Sequence, residues 1–128
     1  MMQGGRIEEI DFTRDSFEDV LARDKRYAAN AYAYLMAVLG NIGPENRPIH
    51  IHDILDEFRI FAIEQYGVLA LHVMNEWGLS EFGDVSEMIF NLVESKRLNR
   101  DDFEVPESYG YEYDFKSAFS DMYDFGGE

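Results

Sequence analysis

The stretch HDILDEFRIFAIEQYG, residues 52 to 67, has the clearest helical pattern in the chain. Its apolar side chains recur at intervals of three and four residues, which places them on one face of a helix. Gly67 follows where a helix commonly ends in a left-handed conformation. The stretch therefore predicts an amphipathic helix from about His52 to Tyr66. Its predicted core residues are Ile54, Leu55, Phe58, Phe61 and Ala62.

Two helices are predicted upstream of this stretch. TRDSFEDVLARD, residues 13 to 24, places three apolar residues at i, i+3 and i+4 of a short helix. Asp24 is the candidate N-cap of a second helix, from Lys25 to about Leu39, with Gly40 ending it. The many alanines of this second helix let neighbours approach closely, so we expect it to lie centrally.

Two further helices are predicted downstream, from Val68 to Trp77 and from Asp84 to about Lys96, with Asp84 as N-cap of the latter. His72 lies in an otherwise apolar helix and is expected to be a core or half-buried residue with one polar partner. Asn91 interrupts the apolar run MIFNLV, so either it faces solvent or its amide holds another segment in place.

This pattern predicts a mainly α, compact single domain, residues 1–128, of five or six short helices. At most a minimal β element is expected, with Ile49–Ile51 paired to the region near Phe103–Val105. We expect residues 1–11 to form a loose arm. A helix, a short strand, two successive helices and a possible later hairpin also describe a winged-helix-like arrangement, which is the alternative architecture.

The charge of the chain is strongly negative, with 26 acidic and 11 basic residues and a net charge of −15. Such a surface repels phosphate backbones and anionic lipids, so membrane binding is not expected, nucleic acid is disfavoured and a basic protein partner is favoured. The chain has no cysteine, which excludes disulfides and thiolate metal sites. It shows no signal-peptide pattern and no apolar run long enough to span a bilayer, so we expect a soluble, cytoplasmic protein.

The C-terminal segment, residues 101–128, combines acidic and aromatic side chains. Disordered acidic segments usually lack aromatic residues, so we expect this segment to pack at least partly on the core. Its surface is also the predicted contact with a basic partner. The candidate partner-binding residues are Tyr109, Tyr111, Tyr113, Asp114, Phe115 and Phe119.

His50 and His52 are the candidates for metal binding, and Asp53, Asp56 or His72 could complete a site. In an extended strand the two side chains would point the same way, as in HxH metal sites, whereas on a helix they would lie about 200° apart and could not share an ion. A loop-to-helix junction, in which Asp53 improves the electrostatics of the first helical turn, is the favoured interpretation. Phosphate loops, dinucleotide glycine patterns and nucleophile elbows are absent from the sequence, so we expect no catalytic residue, metal or cofactor.

A non-enzymatic protein-interaction or adaptor domain is therefore the leading functional hypothesis. One alternative is a winged-helix-like, nucleic-acid-associated regulator, and another is a histidine-metal enzyme or sensor. The nucleic-acid alternative needs a local basic patch. The candidate patches are Arg23, Lys25 and Arg26, or Lys96, Arg97 and Arg100.

Several short motifs carry a family resemblance. RDKRYAANAYAYLM, FAIEQYG, EWG, VSEMIFNLVES and YDFKSAF occur in this order. From about Asp24 to Phe119 the chain resembles a small uncharacterised family named for its restriction to the Verrucomicrobia and Planctomycetes lineage. The resemblance implies a bacterial protein of unassigned function and supplies no catalytic residue. Ahead of its third helix the family often has a small capping residue, where this chain has His50, which disfavours a family-wide metal role for the histidines. The matching motifs are Tyr66-Gly67, Trp77-Gly78, Phe90-Asn91-Leu92 and Tyr113-Asp114-Phe115.

Overall fold

The structure, a computed structural model, describes residues 7–104 and 115–119. Helices account for most of it, with short 3₁₀ turns between them and a further helical turn at residues 115–119. The α-helices are α1 (Glu18–Arg23), α2 (Ala29–Ile42), α3 (Ile51–Tyr66), α4 (Ala70–Glu76) and α5 (Gly83–Glu94). The strands β1 (Ile49–His50) and β2 (Phe103–Glu104) pair in parallel, with Ile49 opposite Phe103. The mainly α fold class with a minimal β element is confirmed, as is the predicted pairing of these two regions.

Helix α3 follows the prediction closely. It begins at Ile51, one residue before the predicted start, because the side chain of His50 caps it. The Nδ1 atom of His50 accepts a hydrogen bond from the backbone N–H of His52 at 3.1 Å. The helix ends at Tyr66, where Gly67 adopts a φ of 57° and its N–H donates to the carbonyl of Ile63. The apolar face predicted for α3 is buried in the core.

Helix α2 packs against α3 through aromatic side chains. The hydroxyl of Tyr34 donates to the backbone carbonyl of Phe58 at 2.6 Å, and the centroid of its ring lies 5.5 Å from that of Phe61. The single tryptophan, Trp77, lies beside this pair, with its ring centroid 5.6 Å from that of Tyr34 and 5.8 Å from that of Tyr66. The α2–α3 pair therefore forms the centre of the core, as the small residues of α2 predict.

The predicted bounds of α2 were wrong at both ends. It begins at Ala29 rather than Lys25, because the preceding segment is held outside the helix: the N–H of Ala28 donates to the carbonyl of Trp77 at 3.0 Å. It continues through Gly40 to Ile42, and Gly43, with a φ of 91°, follows its end. A Cβ at Gly40 would lie 3.2 Å from Cδ1 of Ile7, so this glycine permits close packing and does not stop the helix.

Residues 7–10 contact the helices, which differs from the loose arm expected over residues 1–11. The N–H of Ile7 donates to Oδ1 of Asn41 at 2.8 Å, and the carbonyl of Glu8 accepts from Nε2 of Gln65 at 3.1 Å. Ile7 and Ile10 pack against the core. Apolar burial thus fixes this end of the described chain; residues 1–6 lie outside it.

The strand pair does not have the geometry of a wing. A wing is an antiparallel hairpin of consecutive strands, whereas β1 and β2 are parallel and separated by three helices. Within residues 7–104 and 115–119, the winged-helix alternative therefore has no structural support.

Candidate interaction surface

The histidines are not gathered into a ligand set. His50 and His52 lie at the start of α3 with ring centroids 5.0 Å apart, and Nδ1 of His50 is occupied as the cap acceptor. Across the described ranges, no group of three or more histidine, cysteine, aspartate or glutamate side chains is placed to hold a metal ion. The arrangement is that of a junction between a loop and a helix.

His72 is exposed, contrary to the prediction of a core or half-buried residue. The sequence predicted a continuous helix from Val68, but a 3₁₀ turn at Gly67–Leu69 precedes α4, which starts only at Ala70. This shift turns Ala70 and Met74 inward and His72 outward. Its Nε2 atom lies 3.9 Å from Oε2 of Glu76.

The C-terminal candidates divide into two groups. Phe115 and Phe119 are buried, and their ring centroids lie 5.0 and 6.1 Å from that of Phe82. Neither ring is exposed to a partner, so for these two residues the structure corrects the prediction. The other candidates lie outside the described residues: Tyr109, Tyr111, Tyr113 and Asp114.

Asn91 is 4% exposed and joins α5 to two other segments. Its Nδ2 atom donates to Oδ2 of Asp24 at 2.9 Å and to the hydroxyl of Tyr32 at 3.0 Å. Of the two roles open to it from the sequence, the amide holds other segments in place. Asp24, expected as an N-cap, instead accepts from Arg26 at 2.7 Å. The hydrogen bonds from Arg26 and from Asn91 hold the pKa of the Asp24 carboxyl well below its usual range.

Asp84 is likewise not the N-cap of α5. Its Oδ2 atom accepts from the N–H groups of Ser80 and Glu81, in the loop before the helix, and its Oδ1 atom accepts from the hydroxyl of Tyr27 at 2.6 Å. Burial and this hydrogen bond raise the pKa of the Tyr27 hydroxyl. The polar groups between the α1–α2 link and α5 are therefore used to hold the fold together.

Exposed apolar side chains and exposed acids occur together on α3, on the 3₁₀ turn at Gly67–Leu69 and on α4. We call these exposed positions the outer face. Ile60, Val68 and Leu69 are 37%, 74% and 58% exposed, and they are three of the four large apolar side chains that are exposed in the described part. The exposed acids of the outer face are Asp53, Asp56, Glu64 and Glu76.

The arginines of one proposed basic patch lie elsewhere and are paired. Arg23 pairs with Glu94 across 3.7 Å, and Arg26 bridges to Glu87 across 3.2 Å as well as to Asp24. These pairs connect the α1 region to α5. They neutralise most of the charge that the nucleic-acid alternative would need at this patch.

The outer face had only a weak signal in the sequence. Single exposed leucines and valines are normal on protein surfaces, and their grouping here depends on the 3₁₀ turn, which the continuous apolar pattern conceals.

Among the described helices none combines the length and apolar character needed to cross a bilayer. No protein-family model, curated protein or solved structure matches this chain, so its resemblance to the Verrucomicrobia and Planctomycetes family stays a prediction.

Proposed function

We propose that this chain is a bacterial, cytoplasmic, non-enzymatic protein-interaction domain that binds a basic protein through the outer face. The observation that carries the proposal is the exposure of Ile60, Val68 and Leu69 on a surface with four exposed acids. Burying one such apolar side chain against a partner is worth roughly 1.5–3 kcal/mol when burial is complete. The outer face thus offers a favourable contact that the described fold leaves exposed to solvent.

The charge selects the kind of partner. Carboxylates around an apolar contact attract lysine and arginine side chains, which increases the association rate and rejects acidic partners. A second copy of the chain would bring the same −15 charge to the interface, so self-association through this surface is disfavoured. A basic segment with apolar anchors is the partner that fits both features.

This proposal moves the contact away from the C-terminal segment favoured by the sequence. Phe115 and Phe119 are buried against Phe82 and supply no exposed anchor. Val68 and Leu69 supply two adjacent anchors, and replacing them leaves the buried core untouched.

The experiment has two stages. Proteins captured from the source cell extract are identified, and the strongest basic candidate is then purified and titrated against the full chain by calorimetry. We expect direct binding that weakens as salt rises, because exposed charge pairs are screened. The double variant V68S/L69S should weaken binding at least about tenfold through lost apolar burial.

The matched control is F90S, which removes the exposed apolar side chain outside the outer face. It should leave the affinity for the partner unchanged. The triple variant Y109S/Y111S/Y113S compares the C-terminal segment directly and keeps the buried Phe115 and Phe119 in place. Loss of binding by this variant with V68S/L69S unaffected would refute the outer face as the contact. Absence of any direct basic partner would refute the function itself.

A further inference from the structure

Four basic side chains line one open cavity of about 690 Å³ near the end of α5. They are Arg47, Lys96, Arg97 and Arg100, and the cavity includes a single acid, Asp102. The whole chain has 11 basic residues and a net charge of −15, so this concentration of positive charge stands out from the rest of the surface. We call this cavity the basic pocket.

The helix dipole explains only part of the basic pocket. Lys96 and Arg97 follow α5 after its C-cap Ser95, and cations are favoured at the C-terminal end of a helix. Arg47, however, comes from the loop before β1, and Arg100 from the 3₁₀ turn before β2. The β1–β2 pairing brings these distant parts of the chain together. Three separate segments therefore converge to build the pocket.

Two of the four cations are held by ion pairs. Arg47 pairs with Asp102, and Nη2 of Arg97 lies 2.7 Å from Oδ1 of Asp19. Lys96 and Arg100 are exposed, and within residues 7–104 and 115–119 neither has an ion-pair partner. They are the cations best placed to receive an anionic group.

An apolar groove adjoins the basic pocket. It measures about 430 Å³, and Ile89, Phe90 and Phe103 line it. Val93 and Arg100 line both the groove and the pocket, so the two cavities lie side by side. Phe90 is 48% exposed and offers an aromatic surface beside the cations. The combined site is apolar at one end and cationic at the other.

We propose that this site binds a nucleoside phosphate, with the base on the Phe90 side of the groove and the phosphate between Lys96 and Arg100. Aromatic side chains stack on bases of any sequence, and arginine and lysine are the usual phosphate ligands in proteins. The groove and the pocket each fall in the size range of small-molecule sites. The ligand is a free nucleotide, because the −15 charge of the chain repels the extended phosphate backbone of a strand.

The test is a titration of the isotope-labelled full chain, followed by the amide resonances. Its arms are adenosine monophosphate, adenosine, inorganic phosphate and a short single-stranded oligoadenylate. We expect adenosine monophosphate to shift the resonances of Val93, Arg100 and Phe103. It should bind at least about tenfold more tightly than adenosine or phosphate, because only it contacts both ends of the site.

The variants separate the two ends of the site. R100Q and K96G should each weaken binding of adenosine monophosphate about tenfold; glycine suits position 96 because Lys96 has a φ of 66°. F90A should remove the advantage of adenosine monophosphate over inorganic phosphate. K25A, which removes an exposed base outside the site, is the matched control and should change nothing.

Three results would overturn the proposal. One is equal affinity for adenosine monophosphate and inorganic phosphate, which would leave the groove without a role. Another is undiminished binding by R100Q and K96G when both variants unfold cooperatively and are folded at the temperature of the titration. The third is tighter binding of the oligoadenylate than of the mononucleotide, which would identify a strand as the ligand.

Discussion

Replacing Asn91 by alanine should destabilise the protein by about 2–4 kcal/mol, although asparagine is a poor helix former. The change removes the hydrogen bonds to the hydroxyl of Tyr32 and to the carboxylate of Asp24. Tyr32 is completely buried, so water does not readily replace the lost partner, and an unsatisfied hydroxyl costs about 1–3 kcal/mol. Asp24 keeps its bonds to Arg26 and is partly exposed, so its loss is smaller, about 1 kcal/mol.

Equilibrium unfolding in urea measures this loss, with the fluorescence of the single Trp77 as the signal. Y32F is the matched control, because it removes the Tyr32 hydroxyl itself and so leaves no buried hydroxyl without a hydrogen-bond partner. It should lower the free energy of unfolding less than N91A does. In the double variant Y32F/N91A the two losses should add to less than their sum, since both remove the same hydrogen bond. An N91A variant within about 0.5 kcal/mol of the unmodified protein, or strictly additive losses, would refute the role assigned to Asn91.

Three further changes test other parts of the fold. G78A should lower the free energy of unfolding in urea by at least about 3 kcal/mol, because Gly78 has a φ of 97° and a Cβ there would clash with the carbonyl oxygen of Arg26. The control G83A, where a Cβ would have no neighbour within 4 Å, should not destabilise the protein. D24N should flatten the loss of stability at acid pH: the folded-state pKa of Asp24 is lowered, so its contribution is complete above the unfolded-state value of about 3.9 and disappears as the pH falls through the folded-state value. H50A should cost about 1 kcal/mol through the lost cap, whereas H50N, which keeps a side-chain acceptor, should not; equal losses in thermal unfolding would contradict the capping role.

The sequence predicted the elements whose local signals agree with their packing. In α3, the spacing of the apolar residues, the acids on its outward side and Gly67 all indicate the same helix. The helix ends at Tyr66, as predicted. The short apolar segments at Ile49 and Phe103 were matched correctly because a minimal sheet has few possible partners. For α3, the local pattern was sufficient without information from distant parts of the chain.

The misassigned elements depend on distant contacts. The carboxylate of Asp24 could cap a helix, but it accepts hydrogen bonds from the side chains of Arg26 and Asn91 instead. Helix α2 starts five residues later, at Ala29. Gly40 has the chemistry of a stop, but Ile7 uses its small size for packing. His72 is exposed because α4 starts at Ala70, after a 3₁₀ turn, and buries Ala70 and Met74 instead. In each case a tertiary contact or a local turn overrode a local preference.

The candidate surfaces were harder to predict than the fold. Three bases of the basic pocket were visible as a run from Lys96 to Arg100, but Arg47 joins them only through the β1–β2 pairing. The outer face combines Ile60 of α3 with Val68 and Leu69 of the 3₁₀ turn, so it depends on where α3 ends and that turn begins. Surfaces assembled from separate segments leave little trace in the linear sequence, since no single segment carries the pattern.

The strand pair has a consequence for the order of folding. It joins Ile49 to Phe103 and so closes a loop of roughly fifty residues that contains α3, α4 and α5. Closing this loop costs conformational entropy, which contacts between residues close in sequence do not require. The transition state of folding should therefore contain the α2–α3 pair and lack the strands. Substitutions at Ile49 or Phe103 would then accelerate unfolding while leaving the refolding rate nearly unchanged. This sheet of two short strands would thus help to determine how long the native state persists.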